Sequence, residues 1–365
     1  MSKQQILLLA ALATGVGATP AAQAFIACNF NGGGAITATA PLQGGNISVG
    51  PDTPDGTVLF RQYFRPSYTH SITCNASPAA YTWQSNYLYL NLPLPEGGWS
   101  GLPRGGKVYE TGVPGIGVYA WYSGNAFPFT KNSGTTQANV NYTYSMLTEF
   151  DISFIKTGPV SPGVISGSNL PTVISEFTIP GNGTMRLSTI RFSGTVNVVS
   201  GTCTTPDVNV DMGKYNINSD FTGKGDTTPW QNASILLQNC PRFYGTIDDG
   251  RNNFYSDSGS AGAGKPKQNT VVLTFTSANG TSDAANGIIN IQGGSGAASG
   301  VGVQLAYGTD TNPSFVNLST PKIYAMPDSS STAWQLPLVA RYIQTADSVT
   351  PGRADGKVVF TITYK

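Results

Sequence analysis

The sequence predicts an all-β protein made of two β-sandwich or Greek-key domains. Three observations carry this expectation. Short runs of alternating apolar and polar residues recur along the chain, clusters rich in Gly, Pro, Asn and Ser separate them, and the four cysteines fall as two distant pairs. The 44 Gly and 24 Pro supply the breaks, and the 17 Tyr and 16 Phe supply side chains that suit pleated surfaces. No helical periodicity is convincing beyond the N-terminus, and a length of 365 residues fits two domains.

The chain opens MSKQQ, with the single positive charge of Lys3, and continues ILLLAALATGVGA, an apolar run short for a bilayer span. Ala22-Gln23-Ala24 then gives the small-x-small pattern of a cleavage site. Residues 1–24 therefore read as a secretory signal peptide, with a mature chain starting at Phe25 and exported. No later segment approaches the roughly 20 apolar residues of a membrane-spanning helix.

In the first half, residues 25–199, the predicted strands are TVLFRQYF, SYTHSITC, YTWQSNYLYLNL, GVYAWYSG, NVNYTY, EFDISFI and STIRFSGTVNVV. In the second, residues 200–365, they are DVNVDM, ASILLQ, NTVVLTFT, GIINIQ, GVGVQLAYG, WQLPLVARYIQ and the closing VVFTITY. That last run places Val358, Phe360, Ile362 and Tyr364 on one face, the period-2 signature of a half-buried strand. Residues 256–268, SDSGSAGAGKPKQ, read as a flexible surface loop. Four cysteines allow three pairings. In an oxidising compartment the economical choice is Cys28 with Cys74 and Cys203 with Cys240, each bridge adding roughly 3 to 4 kcal/mol.

Composition narrows the function. A net charge of +1 gives no basic patch for nucleic acid or anionic lipid. The single histidine, His70, lacks the partners that a Ser-His-acid triad or a histidine metal site needs, and reads as a packed or surface residue. No carboxylate pair is marked out for glycoside hydrolysis, and no nucleophile-elbow, phosphate-loop or dinucleotide motif is present. Asp207 and Asp211 lack calcium-loop spacing and read as solvent-facing strand positions. The expectation is a non-enzyme without cofactor or metal.

The second half resembles the pilin domain of chaperone–usher fimbriae. The residues that carry the resemblance are GTCTTPDVNVDMGKY, LQNCP at Cys240, GVGVQL, and the closing GRADGKVVFTITYK, with Gly352 fourteenth from the end and Tyr364 penultimate. The resemblance implies an immunoglobulin-like sandwich that lacks its last strand. Its exposed groove would be filled from outside by β-augmentation, in which an extended segment adds a strand to an open sheet edge, as chaperones do for pilins. A periplasmic pilus chaperone would pair with the strand ending at Tyr364 and Lys365, an outer-membrane usher would receive the complex, and the next fimbrial subunit would supply the final donor strand.

The first half is similar to the receptor-binding domain of two-domain fimbrial tip adhesins of the type 1 and type 3 kinds. FIACNF, Cys74, TGVPGIGVYAWY, FDISFIKTGPVSPG and IRFSGTVNVVSGTC carry that likeness. It implies a tip adhesin that accepts a donor strand but has no donor extension ahead of its pilin domain, and that binds a host glycan or a matrix protein such as collagen. Phe25 matches the N-terminal Phe of mannose-binding relatives. The loop after Cys74, NASPAAYTWQSN, lacks their acidic residue, which puts mannose in doubt. The candidate binding residues are Phe25, Asn75, Tyr81, Trp83, Glu176 and Asn182. A structural adaptor without a receptor is the alternative, and a secreted carbohydrate enzyme is a third reading.

Overall fold

The computed structural model describes residues 25–102 and 106–365, so the expected signal peptide lies outside the described residues. Nearly every regular element is a β-strand, with one α-helical turn at Ile217–Asp220. Both expected disulfides are present, Cys28–Cys74 and Cys203–Cys240, and no cysteine is free.

Two cores organise the chain as two β-sandwiches. The first is built on Val58–Arg65, Phe150–Lys156 and Ile116–Tyr122, which pair side by side, and on a five-stranded sheet ordered Phe129–Thr135, Thr82–Asn91, Thr172–Ile179, Gly183–Ser193, Ile36–Pro41. Phe60, Phe150, Ile152, Phe154, Val173 and Ile190 meet in its centre. Phe150–Lys156 is buried on both faces. Phe150, Ile152 and Phe154 enter the core, while Ile155 lies under a cover containing Leu102, Val108 and Tyr119. A small sheet of Cys28–Phe30, His70–Cys74 and Tyr142–Met146 closes one end of this half.

The second sandwich pairs a sheet centred on Val301–Thr309 and Leu338–Gln344 with a three-stranded sheet ordered Lys322–Met326, Asn269–Ser277, Val358–Tyr364. Ile235, Leu237, Val271, Leu273, Val303, Leu305 and Tyr364 form its core. The strand expected at DVNVDM is absent: residues 205–213 join no ladder. Its period-2 pattern is real, because Val208, Val210 and Met212 all pack against the core, but no strand lies beside it to bond.

The cores divide the chain near residue 200, with one exchange. Residues 246–267, which include most of the stretch expected as a flexible loop, leave the second half and lie along the first. Phe254–Ser256 pairs parallel with Val58–Arg65, Ala261–Gly262 pairs back on it, and Ile247 is buried in the first core. The stretch 256–268 is itself mostly exposed turn and loop, as its glycine-rich composition suggested, while the pairing with the first half is made chiefly by the residues just before it. The sheet of the first half is therefore not built from residues 25–199 alone.

Candidate functional site

Two regions hold the residues singled out in the sequence. The first is the N-terminal end. Phe25 is 69% exposed, and the backbone behind it is held on both sides. The Ile26 N–H donates to Asn182 Oδ1 at 3.1 Å, and the Ala27 N–H donates to Asn75 Oδ1 at 2.6 Å. The Asn75 N–H returns a bond to the Ala27 carbonyl at 3.0 Å, beside the Cys28–Cys74 bridge. Asn182 is itself fixed by a turn in which its N–H donates to the Ile179 carbonyl. Phe25, Asn75 and Asn182 thus converge, although their positions in sequence are far apart.

The other three candidates do not join them. Tyr81 is only 9% exposed, and its hydroxyl accepts a bond from Tyr144 at 3.0 Å. Trp83 packs on Phe177, with ring centroids 5.5 Å apart, and on Tyr144 at 4.9 Å. Both belong to the core beneath this end, since residues two apart share one face of a strand and here that face is inward. Glu176 alternates with the inward Phe177 and so points to the opposite face. There it accepts from Arg186 Nε at 3.1 Å and pairs with Nη2 at 3.0 Å. The converged side chains are consequently uncharged, two amides and an aromatic ring. His70 is buried between Phe30 and Tyr68, and its desolvation, opposed by the nearby Gly34 backbone, holds the imidazole below its ordinary pKa.

The second region is an open cleft of about 1690 Å³ in the second half. Its floor is apolar, with Ile235, Phe275, Ile289, Val303 and Leu305. One wall is the unpaired stretch bearing Val208, Val210 and Met212, and the other is Val358–Tyr364. Sequence reasoning identified the second wall but missed that the first faces it across the cleft.

The free edge of Val358–Tyr364 follows from its register. Lys365 and Thr270 exchange both backbone bonds, at 2.7 and 2.9 Å, so the alternate residues Thr363, Thr361 and Val359 form the bonded pairs with Asn269–Ser277. The N–H and C=O groups of Val358, Phe360, Ile362 and Tyr364 then point away from that ladder, on the side of the cleft. These are the residues whose side chains are half-buried or buried. At the head of the segment, Gly352 lies so close to the Ala297–Ala298 backbone that a Cβ would fall 2.4 Å from it. A second, smaller cleft of about 300 Å³ is lined by Trp99, Glu110 and Thr157. Neither cleft includes Phe25, Asn75 or Asn182.

The second half is similar to a known class: residues 190–365 match the family model described as Fimbrial protein. The chain as a whole resembles the two-domain adhesins of chaperone–usher fimbriae. A curated relative, "Fimbria adhesin protein" of Klebsiella pneumoniae, is 26% identical over 326 residues, spanning 88% of this chain and 89% of that protein. Among solved structures, the CupB6 tip adhesin from Pseudomonas aeruginosa covers 93% of this chain and 95% of its own, at 16% identity and a TM-score of 0.35. The receptor-binding domain of the adhesin MrkD1P of Klebsiella pneumoniae covers 49% of this chain and 98% of its own, at 21% identity and a TM-score of 0.32. The likeness rests on the family model and the curated relative.

Proposed function

We propose that this chain is the adhesive tip subunit of a chaperone–usher fimbria, exported through the periplasm and displayed at the cell surface of a Gram-negative bacterium. The observation that carries the reading is the cleft between Val208–Met212 and Val358–Tyr364, with an apolar floor and backbone groups of one wall facing it. An inserted strand would bond to Val358, Phe360 and Ile362 while its alternate side chains cover the floor. A periplasmic chaperone would fill the cleft first, the usher would pass the complex on, and the donor segment of the next subunit would then replace the chaperone.

A terminal position follows from what precedes the fimbrial domain. Ordinary pilins keep their donor segment there. In this chain that stretch is Thr195–Ser200, already paired with Gly163–Ser166 and Asn46–Val49. A subunit that accepts a strand without offering one ends a head-to-tail fibre. The receptor would bind at the converged Phe25, Asn75 and Asn182, where amide donors and acceptors beside an exposed ring suit a glycan or a matrix protein such as collagen. A second reading, a structural adaptor with no receptor, draws on the fact that neither cleft includes Phe25.

The test of the assembly reading is a donor peptide of alternating apolar residues added to the full chain. Saturable binding that protects the amides of Val358, Phe360 and Ile362 from exchange supports it. Failure of every register of such a peptide to bind sinks it.

A further inference from the structure

We infer that the first half is itself completed by a strand supplied from the fimbrial half, and that residues 246–267 are the occupant of that edge. The arm departs after Cys240 and Phe243 and returns at Asn269, all three in or bonded to the second half. Between those anchors it runs along Val58–Arg65, the strand that carries Leu59, Phe60 and Phe64 into the first core.

The bonding is continuous along that edge. The Ile247 N–H donates to the Leu59 carbonyl at 2.9 Å, and the Arg61 N–H donates to the Ile247 carbonyl at 2.6 Å. The Tyr63 N–H donates to the Asn253 carbonyl at 2.9 Å, and Phe254, Tyr255 and Ser256 then pair with Tyr63, Phe64 and Arg65. Farther on, the Ser67 N–H donates to the Asp257 carboxylate. Removing the arm would strip these donors of their partners and uncover Phe60, leaving a long apolar edge of the kind that aggregates.

Side chains make the fit specific. Asn253 is fully buried, at 0% exposure, and its Nδ2 donates to the Arg61 carbonyl at 2.9 Å while its Oδ1 accepts from the Gly264 N–H. One amide thus ties the arm to the strand and closes the arm's own return. Gly250 passes over the Arg61–Asp151 ion pair, where a Cβ would sit 2.4 Å from Asp151 Oδ1. At its base, Ser48 fixes the arm three times: its N–H donates to the Gly245 carbonyl, its Oγ donates to the Arg242 carbonyl, and the same Oγ accepts from the Tyr244 N–H. A buried, fully bonded polar contact of this density marks an interface that specifies its partner.

The consequence concerns order of folding. The first half cannot complete its central sheet until a segment synthesised later has been exported and anchored between Cys240 and Asn269. Folding of the adhesive half is thereby tied to folding of the half that carries the cleft. This dependence stands on the arm's own contacts and not on the identity of any receptor.

Amide exchange on the full chain tests it. Asn253→Ala should raise exchange at Arg61 and Tyr63 by about tenfold or more while leaving the amides of Asn269–Ser277 unchanged, because opening would be local. Replacing residues 246–267 by a short Gly-Ser linker should expose the whole of Val58–Arg65, and a synthetic peptide of residues 243–268 added in trans should restore protection where a scrambled peptide does not. No rise at Arg61 and Tyr63 in Asn253→Ala, an equal rise throughout the chain, or full protection in the linker variant would overturn the inference.

Discussion

The backbone N–H of Tyr364, in the last strand, donates to the carboxylate of Asp52, in the first half, at 2.8 Å, and the Asp52 N–H returns a bond to the Tyr364 carbonyl at 3.2 Å. Both bonds occupy the edge of Val358–Tyr364 that faces the cleft. The first half therefore caps the end of the strand that an incoming partner would grip. Gly50 makes this approach possible, since a Cβ there would lie 2.2 Å from the Tyr364 carbonyl oxygen.

Asp52→Ala should consequently loosen the end of the strand without unfolding either core. Bonds to a charged acceptor contribute about 1.5 to 3 kcal/mol when buried, and the exposure of Asp52 reduces this to about 1 kcal/mol. Exchange at Tyr364 should quicken by about fivefold in the variant. An unchanged rate would show that the carboxylate contributes nothing to holding the strand.

Removal of residues 352–365 should abolish recovery of a chaperone complex from the periplasm. The deletion takes away one whole wall of the cleft together with the backbone groups that face it. A milder variant, Ile362→Asp, should lower the yield of complex while the Cys203–Cys240 bridge still forms. Normal yield from both would refute the assembly reading.

Acid should weaken the first half through His70. Its folded pKa lies below the unfolded value of 6.5 because burial disfavours the charged ring, with the Gly34 backbone and then Asp257 of the arm opposing that shift. The unfolded chain then binds more protons just below pH 6.5, so stability falls as pH drops through that value and is unaffected well above it. His70→Phe, which keeps a ring between Phe30 and Tyr68, should melt at the same temperature as the parent at pH 7.5 and above it at pH 5. Equal melting at both values would assign the acid response elsewhere.

At the N-terminal end, Asn182→Ala and a chain carrying one residue ahead of Phe25 should both reduce binding on an array of glycans and matrix proteins. Tyr81→Phe should not, although it removes the acceptor of the Tyr144 hydroxyl and costs about 1 kcal/mol of stability. Binding that survives the first two changes but is lost with Tyr81→Phe would place the receptor contact elsewhere.

Much of this architecture was legible in the sequence, and the exceptions share a cause. TVLFRQYF, EFDISFI and VVFTITY became strands at nearly the expected bounds, because period-2 burial is a local property. STIRFSGTVNVV proved to be two strands broken at Gly194, whose φ of 75° suits glycine. DVNVDM carried a true alternation, yet a strand requires a neighbour, and pattern does not report one. The arm's seat on the first half was not foreseen for the complementary reason: its three-residue parallel pairing depends on a partner about 190 residues earlier, as Phe254 and Tyr63 show. Tyr81 and Trp83 stood next to Cys74 in sequence, but their spacing of two already assigned them to a single face, and the core claimed it.

The exchange between halves also bears on inheritance. A cut near residue 200 would separate the two halves along the chain but not along their contacts. Because Phe254–Ser256 pairs with Tyr63, Phe64 and Arg65, a first half transferred at that cut arrives with an unmatched edge, and the second half left behind keeps a segment shaped for a surface that has gone. A functional chimera needs residues 242–267 to travel with residues 25–199, and variation on the two sides of that contact is expected to be coupled.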